Sequence, residues 1–74
     1  MVTVYGIVPG SYAERSGVRV GDKLHTVNGN EINDVLDYRF YLTDSTLSLS
    51  FDRDGVFYQV KIHNHVASKQ FMIT

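Results

Sequence analysis

The stretch "VPGSYAERSGVRVGDKLHTVNGNEI", Val8 to Ile32, limits the possible folds more than any other part of the chain. Pro9-Gly10, Gly17, Gly21 and Asn28-Gly29 interrupt it, so every regular element between them is short. The side chains between these breaks are poor in nucleophiles and metal ligands. Dense backbone signals with little reactive chemistry point to a binding surface rather than a catalyst.

The segments around these turns read mostly as strands. "MVTVYGIV" is rich in β-branched and aromatic residues and stops at Pro9-Gly10, and Gly6 within it suggests a bulge or a close backbone approach. "SYAERSG" offers Ser11 as N-cap, Glu14 three residues later and Gly17 as a stop, which predicts one or two helical turns. "KLHTV" is a short strand closed by Asn28-Gly29, a pair suited to the positive φ angles of a tight hairpin.

Asn33 or Asp34 caps a second short helix reaching about Leu42. Leu36 and Phe40 fall four apart on it, and Val35, Arg39 and Leu42 mark a neighbouring stripe. "TLSLSF" alternates strictly, with Leu47, Leu49 and Phe51 on one face. "DRDG" turns the chain into "VFYQVKIH", which puts Val56, Tyr58, Val60 and Ile62 on one face. The segment 63–74 is a tail or a final strand, "QFMIT" being the strand candidate. The expected fold is mainly β with two short helices, a small β-barrel or sandwich, in a single domain over residues 1–74.

Length and composition then exclude several classes of function. The chain has 74 residues, 43% of them hydrophobic and 20% charged, enough for one core but too few for a substrate-enclosing cleft. It has no cysteine, so thiolate metal sites, iron–sulfur clusters and thiol nucleophiles are ruled out for this chain. The formal net charge is -1 with scattered Lys and Arg, which argues against nucleic acid as a partner. No apolar run is long enough to span a membrane, and Met1 leads into "VTVYGIV" with no leader-like pattern, so a cytoplasmic chain is expected.

His63 and His65 alternate on one strand face and His25 lies on another, yet zinc sites usually take three or four protein ligands, so no metal and no cofactor is expected. Ser11, Asp22 and His25 supply the residue types of a hydrolytic triad. A domain this small has little room for the oxyanion hole and pocket such chemistry needs, and no catalytic residue is expected. Asp22 reads as a brace for the "VGDKL" turn, and Tyr38 and Tyr41 as shields for a core edge.

The whole pattern resembles a PDZ domain in the strand order usual for bacterial members. Pro9, Gly10, Ser11, Ala13, Gly17, Gly21, Asp22, Asn28 and Gly29 stand at the matching positions, and the likeness runs over about residues 4–62, the expected core of the domain. "INDVLDYRFYL", Ile32 to Leu42, with "DYRF" as its distinctive piece, is similar to the PDZ-like segment that opens a family of radical-SAM iron–sulfur oxidoreductases.

The resemblance implies a non-catalytic module that accepts an extended peptide as an added strand. Its accepting edge would be Val2, Thr3, Val4, Tyr5 and Gly6, faced by Val35, Arg39 and Leu42 of the second helix. The partner would be a peptide or protein segment, or the catalytic region of a longer parent protein, and the tail "QFMIT" is the nearest candidate guest for the edge. Such domains hold a ligand's terminal carboxylate on a loop just before the accepting strand. Only Met1 precedes Val2, so that loop is missing or is completed by the tail, and the family's usual Leu-Gly-Leu-like ending is replaced by "SKQFMIT".

Overall fold

The computed structural model describes residues 1–41, 45–63 and 70–74. The elements in chain order are β1 (Val2–Ile7), α1 (Tyr12–Arg15), β2 (Lys23–Val27), β3 (Asn30–Glu31), α2 (Val35–Phe40), β4 (Thr46–Arg53), β5 (Val56–His63) and β6 (Phe71–Ile73). The expected mainly β fold with two short helices is the one observed. The strands form one antiparallel sheet in the order β5-β4-β2-β1-β6, with β3 paired to β2.

Local chemistry accounts for the short elements. The Ser11 hydroxyl accepts from the Glu14 amide at 3.2 Å, while the Glu14 carboxylate reaches back past Ser11 to accept from the Gly10 amide at 2.9 Å. Asp34 caps α2 by accepting from the Asp37 amide at 2.8 Å, and Asp37 accepts in turn from the Asn33 amide at 3.0 Å. Asn28 and Gly29 have φ of 51° and 84°, the pair of left-handed residues that a two-residue hairpin turn requires.

Two local expectations are corrected. The turn expected over "DRDG" is narrower: Asp52 and Arg53 remain in β4, and Asp54 and Gly55, at φ 51° and 85°, make the reversal. Val56, expected on the inner face, is exposed because it sits at the hairpin end beyond the core. On α2 Tyr38 is the buried residue, as its reading as a core shield implies, whereas Leu36 and Phe40 are 72% and 64% exposed. Six residues make fewer than two turns, so only a narrow strip of α2 reaches the sheet.

The core joins Val2 and Val4 of β1, Leu24 and Val27 of β2, Leu47, Leu49 and Phe51 of β4, Val60 and Ile62 of β5, and Phe71 of β6. Ala13, Val18, Ile32 and Tyr38 close it from the helices and loops. Phe51 is its centre, stacked on Tyr58 at 5.5 Å between centroids and meeting Phe71 edge-on at 6.0 Å.

Candidate binding groove

Sequence reasoning expects the outer edge of β1 to accept a guest strand, with the tail "QFMIT" as the nearest candidate. The structure covers that edge. Residues 70–74 run antiparallel along it, with Val4 opposite Ile73, Gly6 opposite Met72 and Ile7 opposite Phe71. Thr3 and Thr74 exchange two backbone hydrogen bonds of 3.0 Å, and the Val8 amide donates to the Gln70 carbonyl at 2.9 Å. The register shifts between Val4 and Gly6, the irregularity that Gly6 suggested. The far end of the Met72 side chain lies over Gly6, where a Cβ would meet the Met72 methyl.

The free edge therefore moves one strand outward, to β6. Phe71 is buried and meets the Tyr38 ring of α2 edge-on, 6.4 Å between centroids, which sets β6 beside that helix. The Gln70 side chain is also buried and accepts from the Ala13 amide at 2.8 Å, tying the start of β6 to α1. Among the described residues no strand pairs with the far side of β6. The candidate groove is this edge of β6 together with α2.

Val2 and Val4 are core residues, Thr3 is half-buried, Tyr5 is 58% exposed and Gly6 lies under Met72. Val35 is half-buried against the core and Arg39 is exposed on α2. Leu42 lies outside the described residues, as does His65. β6 occupies the outer edge of β1 that was expected to face α2. Sequence reasoning places Gln70, Phe71, Met72 and Ile73 as a guest on the β1 edge rather than in the accepting site. Their signal was present in "QFMIT", an apolar, β-prone segment without another place in the pattern.

A polar cluster around Asp22, whose carbonyl accepts from the Val4 amide of β1, supports this frame. Asp22 is 2% exposed. Its carboxylate accepts from Arg53 Nε at 2.8 Å, Arg53 Nη2 at 2.7 Å, the Arg19 amide at 2.8 Å and the Tyr58 hydroxyl. Arg53 also donates to the Gly17 carbonyl and lies 5.0 Å from the Tyr58 ring centroid. Burial by itself would raise the Asp22 carboxyl, but the donors from Arg53, Tyr58 and Arg19 prevail and hold it down to about 2. Burial and the Asp22 carboxylate push the Tyr58 phenol upward. These groups satisfy one another, which makes the cluster a structural brace.

The residue types of a triad are not brought together. The Ser11 hydroxyl caps α1, Asp22 is committed to Arg53, and the His25 ring packs 5.2 Å from Phe57. Among the described residues no group of three or more His, Cys, Asp or Glu side chains is arranged to hold a metal, and no helix is long and apolar enough to cross a membrane.

Residues 3–53 match the sequence model of the PDZ domain family. A comparison with curated proteins finds no match.

Proposed function

The chain belongs to the PDZ domain family, whose members are peptide- and protein-interaction modules, and from that membership we propose that it binds an extended segment by strand addition along the outer edge of β6. The observation that carries this reading is the position of β6, with no strand on its far side among the described residues and held beside α2 by Phe71 against Tyr38. Backbone groups of residues 70–74 supply the hydrogen bonds, and Val35 and Arg39 of α2 face the guest's side chains. Val2 to Gly6 then act one strand away, as the backing on which β6 is laid. The role is binding, with no reaction step.

An NMR titration of the 74-residue chain with a pool of apolar C-terminal peptides tests the reading. Amide shifts are expected along Gln70 to Thr74 and Val35 to Tyr41. Shifts confined to β4 and β5, or none at roughly millimolar peptide, would refute it.

A second reading has its own observation. Leu36 and Phe40 stand exposed on α2 within the segment similar to the radical-SAM-associated, bacterial type of domain. Two large apolar side chains at i and i+4 suit docking on a catalytic region of a longer parent chain. A Cys-x-x-x-Cys-x-x-Cys run downstream in the same reading frame supports that reading, and a reading frame ending at Thr74 removes it.

A further inference from the structure

Among the described residues the sheet has a second edge with no strand beside it, along Val56 to Ile62 of β5. We propose that β5 pairs antiparallel with β5 of a second copy of this chain, with Gln59 beside its own twin on the two-fold axis. This proposal does not rest on peptide binding at β6.

Three observations lead to it. β5 is eight residues long and ends the strand order, so one side of it carries no strand among the described residues. Its pairing with β4 is unbroken from Thr46↔His63 to Arg53↔Val56, whereas β1/β6 and β2/β4 both shift register. The edge is therefore long and regular, without the proline or bulge that blunts free edges in native sheets. At its start Val56 and Phe57 are 67% and 54% exposed, a large apolar surface to leave in water at a strand edge.

The charge pattern selects the occupant and the register. Lys61 is the one charged side chain between Val56 and Ile62. Centring the pair on Gln59 puts Lys61 of one copy opposite Phe57 of the other, an ammonium against an exposed ring, twice by symmetry. The two Lys61 side chains are then about 13 Å apart along the strands, beyond the screening length of about 8 Å at physiological salt. The same register sets Val56 opposite Ile62 and Tyr58 opposite Val60, apolar against apolar. Centring on Lys61 would oppose two like charges. The strand is thus complementary to itself in the manner an isologous interface needs.

The small contact implies a weak dimer, so sedimentation is followed from roughly 10 µM to 1 mM chain, with amide shifts recorded at both ends. A concentration-dependent rise in mass with shifts along Val56 to Ile62 is expected. Gln59→Lys, an exposed change that places two ammonium groups on the axis, should weaken association by about tenfold or more.

The absence of native cysteine permits a register test. Gln59→Cys should cross-link to itself under mild oxidation, because directly opposed strand positions suit a disulfide. Phe57→Cys and Lys61→Cys should each stay free of cross-links alone and cross-link when mixed. A monomer throughout the range, Gln59→Cys cross-linking no faster than a Leu36→Cys control, or concentration-dependent shifts located on β6 and α2 would each overturn the proposal.

Discussion

Arg53, the last residue of β4, grips both carboxylate oxygens of Asp22, with Nε 2.8 Å from Oδ1 and Nη2 2.7 Å from Oδ2. The two residues are 31 positions apart, and their contact fastens the turn before β2 to the β4–β5 hairpin. The carboxylate lies inside while the guanidinium is 32% exposed, so the acid depends on the base more than the reverse.

Asp22→Asn should therefore lower stability by about 2 kcal/mol, by loss of a charge-assisted, multiply bonded carboxylate. The pH dependence carries the same sign. The folded value near 2 lies below the unfolded carboxyl value of about 4, so the contribution is complete above about pH 4 and disappears as pH falls towards 2. Urea midpoints of both proteins between pH 6 and pH 2 check it: their difference should be largest at pH 6 and shrink on acidification.

Phe71→Ala should cost about 3 kcal/mol, because Phe71 is 3% exposed and touches both Phe51 and Tyr38. Removal of residues 70–74 should cost more still, since β1 then loses its outer hydrogen bonds along with the buried ring. Thermal unfolding of both variants measures this. A truncated chain as stable as the parent would mean that β6 is only a guest on β1.

Gly29→Val and Gly6→Ala separate backbone strain from side-chain conflict. At Gly29 a new Cβ meets nothing within 4 Å, yet φ is +84°, so valine should cost about 1 kcal/mol or more from backbone strain alone. At Gly6 no positive φ is involved and the obstacle is the far end of Met72, which can swing aside. Alanine there should cost less than about 1 kcal/mol, with the largest NMR shift at the Met72 methyl. Denaturant titrations that reverse this order would contradict the turn assignment.

Tyr38 should ionise late. Burial pushes its phenol up to about 12, so the neutral form is the one the fold favours. Its contribution to stability is complete below about pH 10 and is lost as pH climbs towards 12. In an ultraviolet titration, Tyr38→Phe should remove one of the late-ionising tyrosines while changing stability by less than about 1 kcal/mol.

Local sequence determined every feature that rests on neighbouring residues. Ser11 and Asp34 cap helices because their oxygens reach amides three positions on, and Asn28-Gly29 turns because both residues tolerate left-handed backbone. The alternation of Leu47, Leu49 and Phe51 set the inner face of β4 before any partner strand was known.

The tertiary structure decided what depends on residues far apart in the chain. Asp22 could be read as a brace for its own turn, but nothing near it in sequence identifies Arg53 and Tyr58 as the groups that make its burial tolerable. The burial of Tyr38 rather than Leu36 and Phe40 follows from the angle at which a short helix meets the sheet, which helical spacing alone leaves open. Above all, the placement of "QFMIT" against β1 moved the open edge to β6. A strand's propensity is written in its own residues, whereas the choice of neighbour is made by the closed core, where Phe71 finds Phe51 and Tyr38 together.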